Sequence, residues 1–177
     1  TGHAYVVWRQ FADSPGETNG IYVSRSTDGG KRWTKPALVS NIQAFDQATT
    51  AATFRSTGFP SLAVSVDANG TSRVHVAWAE RKAPIDPATA ACTAPDGNCD
   101  ARIVIATSSD GGQSFPSRQF VDDWASDPAN PANPGRGHQV QPAITFAAGK
   151  LAVAWVDQRH TQTIGELRCA KDACTYP

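Results

Sequence analysis

The chain has no net charge: its 16 Lys and Arg are matched by 16 Asp and Glu. That balance removes the electrostatic case for a nucleic-acid partner or an anionic membrane surface. No apolar run approaches the length of a membrane span, and no signal peptide is visible at the start. The first residue is Thr rather than Met, so the start reads as processed, trimmed or incompletely recorded. Charged residues are scarce at 18%, whereas 14 Gly and 12 Pro punctuate the chain, as expected of a turn-rich all-β protein. The 177 residues are enough to bury one substantial core.

Cysteine is sparse too, with 4 residues in two close pairs, Cys92/Cys99 and Cys169/Cys174. Close, even-numbered pairs read as local disulfides and therefore as an oxidising compartment. The rival is a four-thiolate metal site, but these spacings do not match the two-residue gaps of zinc knuckles. The reading is an exported protein, secreted or held at the cell surface or in a periplasm, with no metal and no cofactor.

What the sequence does contain is a repeat. Ser26-Thr27-Asp28-Gly29-Gly30-Lys31-Arg32-Trp33 has a second copy in Ser108-Ser109-Asp110-Gly111-Gly112-Gln113-Ser114-Phe115. Each follows a β-rich run, Ile21-Tyr22-Val23-Ser24 or Ile103-Val104-Ile105-Ala106. An apolar run, Asp-Gly-Gly and an aromatic together signal a hairpin. Glycine supplies the positive φ, Ser and Asp oxygens accept the turn's backbone N–H groups, and the aromatic is expected to fold back and bury its ring. The distance from Asp28 to Asp110 equals that from Pro60 to Pro142. A third marker, an alternating strand leading to Trp, comes three times, at Trp8, Trp78 and Trp155. One unit therefore reads as four strands: one carrying the Pro, one ending in Trp, one leading into the Asp-Gly-Gly turn, and one after the aromatic.

This S-x-D-x-G-x-x-[WF] pattern resembles the Asp box, or BNR repeat, of sialidases and related β-propellers. The resemblance implies an all-β chain, a partial β-propeller of four-stranded antiparallel blades with about two to three present. Residues 1–177 read as one propeller segment, with a partial blade at 1–45, a complete blade at 59–123 and a partial blade at 139–177. Further chains or further blades would then be needed to close the ring. Ser26, Asp28, Gly30 and Trp33, like Ser108, Asp110, Gly112 and Phe115, are expected to be structural, since Asp boxes turn on the side away from the substrate.

The resemblance also implies which loops meet a ligand: those from second to third strand, and those between blades. Arg9 and Gln10 follow the first Trp, Glu80 and Arg81 the second, and Asp157, Gln158, Arg159 and His160 the third. Asp46 and Arg55 lie in one interblade connection, Arg136 and His138 in the other. Converging arginines can clamp a carboxylate, and paired carboxylates can do acid–base work on a glycoside. The competing structural reading gives each Arg past a Trp an ion pair with the neighbouring blade. Pressed against sialidases, the order Arg55, Glu80-Arg81, then Asp86, Asp96 or Asp100, then Asp110 is similar. Two departures stand out. Arg55 precedes Pro60 by a wider gap than the family's first arginine does, and no Tyr matches the sialidase nucleophile.

The favoured expectation is a recognition or scaffold module for a glycan or an extracellular protein. The alternative is an exo-acting glycosidase of sialidase type, whose remaining catalytic residues lie on other blades. His75, inside a strand, reads as a hydrogen-bonded core histidine. Cys92 and Cys99 bracket a long loop, 82–100, and would staple it. The prolines of 127–135 favour an extended path. In the third unit Cys169 and Cys174 stand where the Asp box should be, and a disulfide there would replace the hydrogen-bonded turn with a covalent clasp.

Overall fold

The computed structural model describes residues 2–14, 16–47, 56–84, 86, 88–89, 91–94, 99–121, 137–157, 169–170 and 173–174, with backbone alone for the short strand pairs at 46–47, 56–57, 169–170 and 173–174. In chain order the strands are β1 (Ala4–Gln10), β2 (Gly20–Ser26), β3 (Ala37–Asn41), β4 (Asp46–Gln47), β5 (Ser56–Thr57), β6 (Ser61–Val66), β7 (Ser72–Arg81), β8 (Ala101–Ser108), β9 (Arg118–Phe120), β10 (Gln139–Ala147), β11 (Lys150–Asp157), β12 (Cys169–Ala170) and β13 (Ala173–Cys174). Among the described residues there is no helix. The fold class is all-β, a partial propeller of antiparallel sheets, and the described strands close no ring.

Three sheets carry the structure. The first has three strands in the order β1-β2-β3, the second four in the order β6-β7-β8-β9, and the third pairs β10 with β11. Every pairing is antiparallel between neighbours in sequence, so each sheet is an up-and-down meander, with longer connections such as 82–100 between β7 and β8 and tight turns at β6–β7 and β10–β11. The β6–β7 turn shows why: the Asp67 carboxylate accepts from the Asn69 and Thr71 N–H groups at 2.9 Å, and Gly70 takes φ 80°. The β10–β11 turn is made by Ala148 and Gly149, both with positive φ. Pro142, which has no N–H for a ladder, sits where the β10 register shifts between Val140 and Ala143, and Gln141 there takes φ 55°.

The core follows from the period of two. On β7, Val74, Val76 and Trp78 point one way and pack with Ile21, Val23 and Val39 of the first sheet. Ala77 points the other way and packs with Ala63, Ile105 and Ile144, the last from the third sheet. Both faces of the second sheet are thus covered, and Trp78 is fully buried. Among the described residues the outer sheets are covered on one face only: β11 alternates strictly between half-buried and exposed residues, and Val6 in β1 is 43% exposed. Deleting the Trp78 side chain would leave a large void and cost about 3–5 kcal/mol.

Candidate functional site

Among the described residues, the polar and charged side chains after each Trp do not sit in loops. Arg9 and Gln10 are in β1, Glu80 and Arg81 in β7, and Asp157 in β11, all within hydrogen-bonded register. At Trp78 and Trp155 the residue two positions on shares the face of the indole and accepts a hydrogen bond from its N–H. Trp78 Nε1–H donates to Glu80 Oε2 at 3.1 Å, and Trp155 Nε1–H donates to Asp157 Oδ2 at 3.3 Å. Glu80 is 1% exposed, and its other oxygen accepts from Arg118 Nη1, an ion pair across the sheet. Burial pushes the Glu80 carboxyl up, and Trp78 and Arg118 offset only part of that. Asp157 also accepts from Gln139 Nε2 at 3.3 Å.

The candidates that the fold brings together meet where the second and third sheets join. Asp100 and His138 are both buried. Asp100 Oδ2 accepts from the Gly137 N–H at 2.9 Å, and His138 Nδ1 accepts from the Ala101 N–H at 3.1 Å. Asp100 Oδ1 lies 3.7 Å from the same Nδ1, but a ring nitrogen that accepts from an amide carries no proton to share. This pair is therefore a polar latch between backbones, with the imidazole in its Nε2–H tautomer. Phe45, fully buried, lies against it, with its ring centroid 4.3 Å from that of His138. Arg81 completes the cluster: its guanidinium stands 5.1 Å from the Phe45 centroid and donates to Cys99 O at 3.2 Å. Arg9 is used in the same way, donating to Asn19 Oδ1 at 2.9 Å and lying 4.3 Å from the Phe11 centroid.

Asp86 organises its own loop. It accepts from the Ala88 N–H and from the Thr89 hydroxyl, both at 2.8 Å, and these bonds, the Ala88 amide first, pull its carboxyl below the ordinary range. A carboxyl held as an anion is poorly suited to donate a proton to a leaving group. The loop is stapled by Cys92–Cys99, with Cα atoms 5.6 Å apart. Asp96 lies outside the described residues, as do Arg55, Arg136, Gln158, Arg159, His160 and the proline-rich 127–135. The Asp46 side chain is likewise not described.

Both Asp-Gly-Gly turns have the expected bonding. The Ser26 hydroxyl donates to Asp28 Oδ1 and accepts from the Gly30 N–H, each at 2.9 Å, and Asp28 Oδ1 accepts from the Arg32 N–H at 2.9 Å. Ser108 and Asp110 repeat this at 2.6 Å, with Gly112 donating to Ser108 Oγ at 2.8 Å and Gln113 and Ser114 donating to Asp110 Oδ1. Gly29, Gly30, Gly111 and Gly112 all have φ between 73° and 90°. The Arg32 guanidinium, then its amide and the Ser26 hydroxyl, lower Asp28 to about 2. For Asp110 burial alone would raise the carboxyl, but the Ser108 and Ser114 hydroxyls and the Ser114 and Gln113 amides outweigh it, and it lies well below the carboxylate range. The two aromatics differ. Phe115 packs against the first core cluster, whereas Trp33 bonds its indole to Gly30 O at 3.1 Å yet stays 45% exposed. The expected burial of its ring does not occur, because the N–H anchors the indole to the turn rather than to the neighbouring sheet.

No family model matches the chain, and a search of curated proteins finds no match. The structure itself adds partners that sequence reasoning did not single out. Arg102, 2% exposed, donates to Ala101 O and to Gly137 O at 2.9 and 2.8 Å, and Gln139 Oε1 accepts from the Ile103 N–H at 3.2 Å. The available signal was polar residues at strand ends beside Asp100 and His138, a pattern that solvent exposure explains equally well. His75 is bonded within the core, between Ser65 Oγ and Thr107 Oγ1 at 3.0 Å each. Burial, and then the charge of Arg73, lower its pKa.

Proposed function

We propose that the chain is a segment of an exported Asp-box propeller that serves as a recognition or scaffold module for a glycan or an extracellular protein. The observation that carries this reading is the use made of the described acids. Glu80 holds Trp78 and Arg118, Asp100 holds the Gly137 amide, and Asp86 holds Ala88 and Thr89. Each accepts from groups of its own chain, which is the work of architecture rather than of acid–base catalysis. Two bonded Asp boxes support the propeller assignment, and the Cys92–Cys99 disulfide supports an oxidising, extracytoplasmic setting. Among the described residues no helix is long and apolar enough to cross a membrane.

The competing reading is the sialidase-type exo-glycosidase, with Arg55, Arg81 and one of Asp86, Asp96 or Asp100 in its site. A glycan array and an extracellular-protein binding screen, run beside turnover of aryl sialosides, separate the two. Saturable binding without turnover is expected. Turnover would carry the hydrolase reading instead.

A further inference from the structure

The turn between β6 and β7 reads Asp67-Ala68-Asn69-Gly70-Thr71, and its hairpin geometry uses only part of that sequence. Asp67 and Gly70 build the turn. The Asp67 carboxylate accepts from the Asn69 and Thr71 N–H groups at 2.9 Å. The Gly70 N–H donates to Asp67 O at 3.0 Å, and Gly70 takes φ 80°. Asn69 and Thr71 contribute their backbones alone. Among the described residues neither the Asn69 carboxamide nor the Thr71 hydroxyl has a hydrogen-bond partner. Nor does Asn69 take the positive φ for which turns commonly select Asn. The β10–β11 turn manages with Ala148 and Gly149 and no Asn at all.

Asn-x-Thr with a residue other than Pro between is the acceptor pattern of N-linked glycosylation. The transferring enzyme takes hold of the Thr hydroxyl and the Asn carboxamide, the two groups that this turn leaves unused. An acidic residue two positions before the Asn, here Asp67, meets the stricter form of the pattern. Of all the Asn in the chain, only Asn69 has Ser or Thr two residues on. Asn69, Gly70 and Thr71 are all exposed. The strand register gives their place on the molecule. Val74 pairs with Ser108 and Arg81 with Ala101, so Asn69 lies at the Asp110 end of the second sheet and Asp100 at the other. The 10 residues of β7, at about 3.3 Å each, set those ends about 30 Å apart.

We propose that Asn69 is the attachment site of an N-linked oligosaccharide, which rests on the reading of the chain as exported, since this transfer takes place outside the cytoplasm. The donor is an oligosaccharide carried on a polyprenyl pyrophosphate. Asn69 Nδ2 attacks the anomeric carbon, and the new N–C bond forms as the C–O bond to the pyrophosphate breaks. Polyprenyl pyrophosphate leaves, and the amide nitrogen gives up one proton to base. A glycan here projects from the end that bears the Asp110 turn. The Arg81 and Asp100 end of the sheet stays open to a ligand.

Mass mapping of the peptide that contains Asn69, from the complete protein isolated from the cells that make it, tests this. The wild-type peptide should carry a glycan mass increment, and amidase release of the glycan should convert Asn69 to Asp. Asn69→Gln and Thr71→Ala should each abolish the increment, and Thr71→Ser should keep it. Circular dichroism should be the same for the wild type and all three variants, because neither side chain is bonded in the fold. An unmodified Asn69 in protein whose Cys92–Cys99 disulfide is intact would overturn the proposal and leave the exported reading standing. An unmodified Asn69 beside free thiols at Cys92 and Cys99 would overturn both. An increment that survives in Thr71→Ala would also overturn the proposal.

Discussion

Trp78 Nε1 lies 3.1 Å from Glu80 Oε2, both side chains buried, and the other Glu80 oxygen is held by Arg118 from β9. This ties a fully buried aromatic of the core to an ion pair with one foot in solvent, since Arg118 is 43% exposed. The two ends should respond differently to mutation. Glu80→Ala frees Arg118 to turn to water but leaves a buried indole N–H without its acceptor, costing about 1–3 kcal/mol. Arg118→Ala leaves a buried carboxylate without its cation and should cost more at neutral pH.

The Glu80 carboxyl is raised, so its proton is bound more tightly in the folded state. Stability from this group is present below the unfolded value and is lost as pH rises through the folded one. The Arg118→Ala defect should therefore shrink as pH falls from 7 toward 5. Urea unfolding of wild type and variant at both pH values checks this, and a gap independent of pH would contradict it.

The two Asp-Gly-Gly turns run the opposite way. Asp28 is lowered to about 2 and Asp110 lies well below the carboxylate range. Their contribution is complete above the ordinary carboxylate pKa of about 4 and is lost as pH falls through the folded values. Asp110→Ala should cost about 1–3 kcal/mol by orphaning turn amides. Asp28→Ala should cost less, because its turn is more exposed and its partner Arg32 is a surface side chain. Denaturation between pH 5 and pH 2 should show a shallower acid loss for both variants than for wild type.

His75 should titrate below the pH at which a free imidazole does, since burial, and then the charge of Arg73, oppose its charged form. Ring-nitrogen chemical shifts followed from pH 7 to pH 5 read this directly. Titration at the ordinary histidine value would show that the Ser65–His75–Thr107 bridge is open in solution.

The register of β12 and β13 sets Cys169 opposite Cys174, and directly opposed residues of an antiparallel pair are within reach of a disulfide. Peptide mapping without reduction should recover Cys92–Cys99 and Cys169–Cys174. A free thiol at either Cys169 or Cys174, or a crossed pairing, would remove the covalent-clasp reading of the third unit.

The strands and turns were legible because their signals are local. Alternation ending in Trp marks β1, β7 and β11, and Ser-x-Asp-x-Gly marks the bonded turns. The roles of the charged residues were not legible. Glu80 and Asp157 look like loop residues after a Trp, yet period two places each beside its own indole, where it extends the strand. Asp100 and His138 are distant in sequence, and only the packing of the third sheet on the second makes them neighbours. Trp33 and Phe115 occupy the same motif position, but the indole N–H has an acceptor in the turn that a phenyl ring cannot use.

The central claim is that the acids near the strand ends are architectural, and Asp100 tests it most directly. Asp100→Asn keeps the size of the side chain but loses the charge that accepts from Gly137. The complete protein and this variant should be compared for aryl-sialoside turnover and for melting temperature. The account predicts no turnover by either protein and a lower melting temperature for the variant. Turnover by the wild type that disappears in Asp100→Asn at an unchanged melting temperature would contradict it.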